Sequence, residues 1–305
     1  MKTSQRIAYG EELLQLCREN ERVVVLDADL CTGTQSQIVE KGMPERFFDM
    51  GIGEQNMIGV AAGFALSGKI PFCHSFAVFT VSRPFEQIRQ SVCLPNLNVK
   101  VTGASCGLSD YADGATHQCF EDVAIMRVLP NMTIFSPADA NEARKVVRLA
   151  AGLPGPAYIR INRNEIPVVT EKDAQLEIGK PTLMAEGDEV AICASGHMVH
   201  FALEARKILA VRGIGARVLN FATIKPLDAA SVRAAVAPAK RVVTVEEHSV
   251  IGGLSAAIMA TLAENPLPIR CIGIQDKYGE SSDSYEKLLV QYGLTPDRIA
   301  EMACK

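Results

Sequence analysis

The sequence predicts an α/β fold made of two doubly wound units in tandem. Short runs of Val and Ile without polar alternation recur along the chain, as in strands covered on both faces of a parallel sheet. A helical segment follows nearly every run, which is the alternation of a doubly wound sheet. Midway, residues 164–187 carry Pro167, Pro181, two glycines and several charges with no clear periodicity, and the alternation then starts again. A length of 305 residues suits roughly two domains at about 150 residues each.

The elements follow in order. Residues 22–30 (RVVVLDADL) read as a buried strand, and 54–66 as a helix rich in small residues. A strand at 70–76 leads to a helix at 83–93, then a strand at 99–103. Helix 121–128, strand 132–135, helix 139–151 and strand 157–161 complete the first unit. The second unit repeats the pattern with strands at 189–194, 216–220, 241–245 and 269–274. Its helices are expected at 197–212, 228–236 and 253–263. The implied division is residues 1–166, a linker at 167–187, and residues 188–305.

Composition removes several functional classes. Thirty-one basic against 35 acidic residues give a net charge of −4, which disfavours nucleic acid or an anionic membrane as the main partner. No apolar run approaches the ~20 residues needed to span a bilayer. Met1 to Arg6 has no apolar signal core behind it. Nine cysteines, an odd number without a C-x-x-C pair, predict reduced thiols in a cytoplasmic protein. The five histidines are scattered, which argues against zinc and leaves no metal ligands to assign. His197 and His200, at a helix start, read as surface or capping residues.

Three segments carry chemistry. In Asp49-Met50-Gly51-Ile52-Gly53-Glu54-Gln55-Asn56, one acid follows a glycine-flexed turn at the mouth of a helix. Alone, Glu54 reads as a helix-start charge favoured by the dipole. A second segment, Ser75-Phe76-Ala77-Val78-Phe79, places two aromatic rings at a strand end and the loop after it. The third is Asp113-Gly114-Ala115-Thr116-His117-Gln118. Its histidine can donate or accept near neutral pH.

Together these segments resemble the pyrimidine-binding domain of thiamine diphosphate enzymes, most closely that of transketolases. The D-G-x-T-H-Q run is quite specific to transketolases and the related deoxyxylulose phosphate synthases. The resemblance implies that Glu54 holds the N1′ atom of the cofactor's aminopyrimidine, which requires a desolvated carboxyl. It implies Phe79 as the ring-stacking residue and Phe76 as a pocket wall. The family usually adds a tyrosine three residues on, where this chain has Ser82. Asp113 and His117 inherit contacts to the substrate's hydroxyl and carbonyl oxygens. Arg163, after the last strand of the first unit, and Arg6, before the first helix, match positions that hold phosphate. Arginine suits that task through forked, charge-assisted hydrogen bonds. The family's further phosphate-contacting histidine is missing, since Gly103-Ala104-Ser105-Cys106 stands in its segment. His74 is a candidate to compensate.

In the second unit the resemblance rests on Asn220 to Asp228, Val245-Glu246-Glu247-His248-Ser249 and Gly252-Gly253-Leu254. These strings read as structural, although the Gly252-Gly253 helix start offers free N–H groups to an anion. A complete transketolase has an additional N-terminal domain with a G-D-G motif that holds Mg²⁺ and the cofactor diphosphate. This chain has no such motif. The resemblance therefore implies the C-terminal subunit of a split enzyme using thiamine diphosphate and Mg²⁺. A separate N-terminal subunit would hold the diphosphate and metal, in a heterotetramer with two copies of each chain. The implied reaction moves a two-carbon ketol unit from a ketose phosphate to an aldose phosphate. A deoxyxylulose phosphate synthase normally keeps its domains in one chain, and the beta subunit of 2-oxo-acid dehydrogenases usually lacks D-G-x-T-H-Q. A non-catalytic subunit that only stabilises its partner is the remaining alternative.

Overall fold

The structure is a computed structural model describing residues 2–305. Its strands in chain order are β1 (Lys2–Ser4), β2 (Val23–Asp27), β3 (Phe47–Asp49), β4 (Ile70–Phe76), β5 (Lys100–Ala104), β6 (Thr133–Phe135) and β7 (Ala157–Arg160). They continue as β8 (Glu165–Pro167), β9 (Thr182–Ala185), β10 (Val190–Ala194), β11 (Ala216–Asn220), β12 (Thr223–Lys225), β13 (Arg241–Ser249) and β14 (Ile269–Ile274).

A seven-stranded sheet has the order β12-β6-β7-β5-β4-β2-β3 and is parallel except for β12. A five-stranded sheet has the order β14-β13-β10-β11-β9, with only β9 antiparallel. The all-buried patterns of β2, β4, β5 and β10 explain their unalternated apolar sequences, because each is covered on both faces. In β2, Val24 and Leu26 face one core while Val23 and Val25 face another. In the second sheet, Val190 and Ile192 pack on one side and Ala191 and Cys193 on the other. Both sheets are thus doubly wound.

Helix starts follow local capping chemistry. Asp139 accepts from the N–H groups of Asn141 and Glu142, opening the helix Ala140–Gly152. Asp228 caps Ala229–Val236 in the same way. The helix expected at 83–93 is broken. Ala77–Ser82 and Phe85–Gln87 are separate helical pieces, and Ile88–Cys93 winds as a π-helix. Pro84 lies at that break, where it lacks the N–H that a continuing helix needs. The unperiodic stretch contains β8, which pairs with β1, and β9, which edges the second sheet.

The two sheets are joined through polar groups that the sequence presented only as strings. Strand β12, from the Asn220 to Asp228 string, crosses to pair with β6 in the first sheet. Arg160 donates to Asp122 Oδ2 at 2.7 Å and to the Glu247 carbonyl at 2.6 Å. The Glu247 carboxylate accepts from Leu108 N at 2.7 Å and from Tyr285 Oη at 2.5 Å. Burial pushes Glu247 up to about 7, against the pull of Arg160.

Two expectations are corrected here. His197 is buried, stacked on His200 with ring centroids 6.1 Å apart, and it bonds Tyr285 Oη rather than capping a helix. The helix start at Gly252-Gly253 already holds an anion of the chain itself, because Glu246 accepts from Leu254 N and Ser255 N. Among the described residues no helix is long and apolar enough to cross a membrane.

Candidate active site

The groups singled out in the sequence gather along the carboxyl ends of β2, β4, β5 and β7, where parallel α/β sheets place their ligands. Gly51, at a φ of 62°, turns the chain after β3, and Asp49 Oδ1 holds Gly51 N at 2.9 Å. That turn delivers Glu54 as the first residue of the helix Glu54–Leu66. Glu54 is only 5% exposed although it stands at a helix start. Together with Ile52, Gly53, Gln55, Asn56 and Arg83 it lines an open hollow of about 420 Å³. A Cβ added at Gly51 would meet nothing within 4 Å, so the backbone there is open to close approach.

Phe76 ends β4 and Phe79 follows one helical turn later. Their rings are stacked, with centroids 6.2 Å apart and 18° between planes. His117 presents an edge to both, at 5.3 Å from Phe79 and 6.3 Å from Phe76. Thr116 Oγ1 lies 2.9 Å from His117 Nδ1 and steadies the imidazole. Arg83 joins Glu54 to this aromatic cluster. Its Nη1 is 3.4 Å from Glu54 Oε2, and its guanidinium carbon lies 4.9 Å from the Phe79 centroid.

On the other side of Phe76 stands Arg163, 5.5 Å above the ring. Arg163 Nη1 donates to Asp110 Oδ2 at 2.6 Å. Arg6 donates through Nε to the Arg163 carbonyl at 3.0 Å and through Nη1 to the Gly33 carbonyl. Asp113 is exposed, three residues after Asp110 on the same loop. Burial raises the Asp110 pKa, Arg163 opposes the rise, and Asp113 adds to it. The loop carrying these acids is pinned at both ends. Gly107 and Cys119 form a β-bridge, and Gln118 Nε2 donates to the Asp110 carbonyl at 3.2 Å and the Glu280 carbonyl at 3.0 Å.

Glu54, Phe76, Phe79, Asp113, His117, Arg163 and Arg6 therefore lie in one connected run. His74 does not join it. Its ring is fully buried beneath Phe76, held by Tyr9 Oη at 2.9 Å and the Leu26 carbonyl at 3.1 Å, and burial lowers its pKa to about 4. The sequence reading missed Arg83 and Asp110. Arg83 is four residues beyond Phe79, a spacing that shares one side of a helix. Asp110 is three residues before Asp113 in the same loop. Asp29 was also passed over; it stands exposed at the end of β2 with a φ of 60°.

A doubly wound scaffold with a buried acid, an aromatic wall, a histidine and two arginines at its strand ends defines an α/β protein built to hold a ring and an anion. Residues 1–168 match the model of the transketolase pyrimidine-binding domain, and residues 179–299 that of the transketolase C-terminal domain. The chain belongs to the transketolase family, whose members depend on thiamine diphosphate. It is 43% identical to a transketolase C-terminal section of Methanocaldococcus jannaschii, over 97% of this chain and 94% of that protein. It is 40% identical to a 6-deoxy-6-sulfo-D-fructose transketolase subunit of a Clostridium species, over 98% of this chain and 92% of that one. Among solved structures, a split-gene transketolase described as an inactive beta4 tetramer superposes with a TM-score of 0.91. That match is 45% identical and covers 99% of this chain and 97% of the other.

The residues present fit the pyrimidine end of the cofactor. A buried carboxyl lines a hollow beside Gly53, and Arg83 on the same hollow reaches the face of Phe79. Among the described residues no three His, Cys, Asp or Glu side chains group to hold a metal ion.

Proposed function

We propose that this chain is the C-terminal subunit of a split transketolase, moving a two-carbon ketol unit from a ketose phosphate to an aldose phosphate. The observation that carries this is buried Glu54 lining the hollow and joined through the Arg83 guanidinium to the face of Phe79. When bound, thiamine diphosphate supplies a carbanion-stabilising centre that the side chains of a protein lack. Glu54 holds a proton at the pyrimidine N1′ atom. Phe79 gives the ring a flat wall, and Phe76 closes the wall behind it. His117, at the edge of both rings, donates to or accepts from the oxygens beside the reacting carbon. Asp113 orients a donor hydroxyl. Arg163 and Arg6 grip the distal anion of the sugar and so fix its register.

The diphosphate and Mg²⁺ fall to an N-terminal subunit, with two copies of each chain in the working assembly. Support comes from the relative described as a C-terminal section and from the split-gene neighbour whose beta4 form is inactive. Ile52, beside Glu54, is 78% exposed, in keeping with a partner that covers the mouth of the hollow. The nine cysteines are all free, which suits a cytoplasmic location.

The test is Glu54→Gln in the reconstituted two-chain complex. Ketol transfer should fall by roughly 100-fold or more, the scale of a lost general acid–base group. A near wild-type rate would end the catalytic reading. Calorimetry on the lone chain should show no Mg²⁺-dependent binding of thiamine diphosphate, and tight binding there would remove the need for a partner.

A further inference from the structure

The arginines assigned to the distal anion do not stand alone. Arg163 spends Nη1 on Asp110, at 2.6 Å, and Asp110 is 2% exposed. This acid is fixed in place, because its own carbonyl accepts from Gln118 and the neighbouring Ser109 carbonyl accepts from Asn164 Nδ2 at 2.9 Å. Arg6 is turned to two backbone carbonyls and brings no second acid. The segment that would carry a further cation, Gly103 to Cys106, is buried and has none. Ser105 there is fully buried at a φ of 54°, with its Oγ unpartnered. Arg163 thus pairs with a buried carboxylate that cancels its charge, and Arg6 lies within electrostatic reach of the same acid.

We propose that Asp110 is a specificity-determining residue that sets the charge of the sugar's distal group, favouring a group with one negative charge, such as a sulfonate, over a doubly charged phosphate. A dianion gains most where two or three cations converge and loses where a fixed carboxylate lies within reach. A singly charged tetrahedral group bonds the free nitrogens of Arg163 and meets less repulsion from Asp110. Sugar phosphates remain acceptable, at lower affinity. The biological meaning of this preference rests on the ketol-transfer reading.

The anion site lies wholly within this chain, so the test needs neither cofactor nor partner. The isolated chain is titrated with methanesulfonate and with methylphosphonate at alkaline pH, where the second is a dianion of the same shape. Binding is followed by the NMR signals of the arginine Nε–Hε groups. Wild type should bind methanesulfonate more tightly. Asp110→Asn should strengthen methylphosphonate binding by about tenfold or more, the scale of one hydrogen bond to a charged group. It should move methanesulfonate much less. Asp110→Ala provides the same measurement if the amide variant misfolds, with thermal melting as the folding check. Preference for methylphosphonate in wild type, with a ratio unchanged by either variant, would overturn the proposal. So would arginine signals that respond to neither ion. In the assembled enzyme, the KM for a phosphorylated ketose relative to a sulfonated one should fall in Asp110→Asn. Loss of turnover in Glu54→Gln leaves the anion titration untouched, so the two ideas fail separately.

Discussion

On the proposed reading, Arg83 occupies the ground that the cofactor's ring needs. Its planar guanidinium lies over Phe79 and beside Glu54, the two groups assigned to the face and the N1′ atom of the aminopyrimidine. Docking the ring therefore requires Arg83 to turn out, and its side chain, 54% exposed, is free to do so. The cost can be worked from these contacts. An ion pair with one exposed and one buried partner contributes about 0.5–1 kcal/mol, the upper part of the range for exposed pairs. A cation over an exposed aromatic face contributes about 0.5–1 kcal/mol. Together, about 1–2 kcal/mol is lost on displacement, which at 1.4 kcal/mol per factor of ten corresponds to roughly 5- to 30-fold in affinity. Arg83→Ala should tighten thiamine diphosphate binding to the reconstituted complex by that factor, measured by calorimetry at saturating Mg²⁺. The gain should be small in a Glu54→Gln background, where the ion pair is already gone and only the aromatic contact remains. Weaker binding in Arg83→Ala would refute the reasoning, because it would make Arg83 a ligand of the cofactor and not its competitor.

Other expectations follow from the buried groups. Glu247 keeps its proton up to about 7 in the fold, whereas an unperturbed carboxyl releases it near 4.5. Between these values the folded chain binds more protons, so this residue's contribution is full at low pH and is lost as pH rises. Urea unfolding of wild type and Glu247→Gln should show the variant gaining on wild type by on the order of 1–3 kcal/mol from about pH 4.5 to 7; parallel profiles would contradict the assignment. Asp122→Asn leaves the buried Arg160 guanidinium without its counter-charge and should cost about 3–5 kcal/mol of stability. A loss under about 1 kcal/mol would mean that solvent reaches the pair. Thiol labelling of the native chain should reach Cys304 first, while Cys17, Cys73, Cys93, Cys106, Cys119 and Cys193 react only on unfolding. Prompt labelling of any buried thiol would disprove the packing described around it.

The alternation of apolar runs and helices was enough to read both doubly wound sheets, because strands covered on two faces cannot hide their composition. Strand β2 shows this plainly, with five consecutive buried positions in VVVLD. Short edge elements escaped. Strand β3 is three residues of partial burial, and β12 pairs with a strand nearly 90 residues earlier in the chain. Neither carries a period long enough to register, and a non-local pairing leaves no local mark. The helix expected at 83–93 took no account of Pro84, where the structure interrupts it.

The site divides along the same line. Glu54, Phe76, Phe79, Asp113 and His117 sit in short strings whose order is itself distinctive, so their gathering could be anticipated. What the strings could not convey is what those groups do to one another. Arg83 and Asp110 belong to no motif, and each looks alone like an ordinary surface charge. Only the fold shows that Arg83 neutralises a carboxyl 5% exposed, and that Asp110 neutralises an arginine assigned to an anion. Both pairings answer one physical demand. A subunit carrying half of an active site must keep its buried charges paired before cofactor and substrate arrive, since an unpaired buried charge costs far more than a paired one. The two residues differ in burial, and that difference sets their roles. Arg83 is largely exposed and can leave, so on the proposed reading it would gate the ring site. Asp110 is buried and pinned, so it would stay and shape the choice of sugar on the reading proposed above.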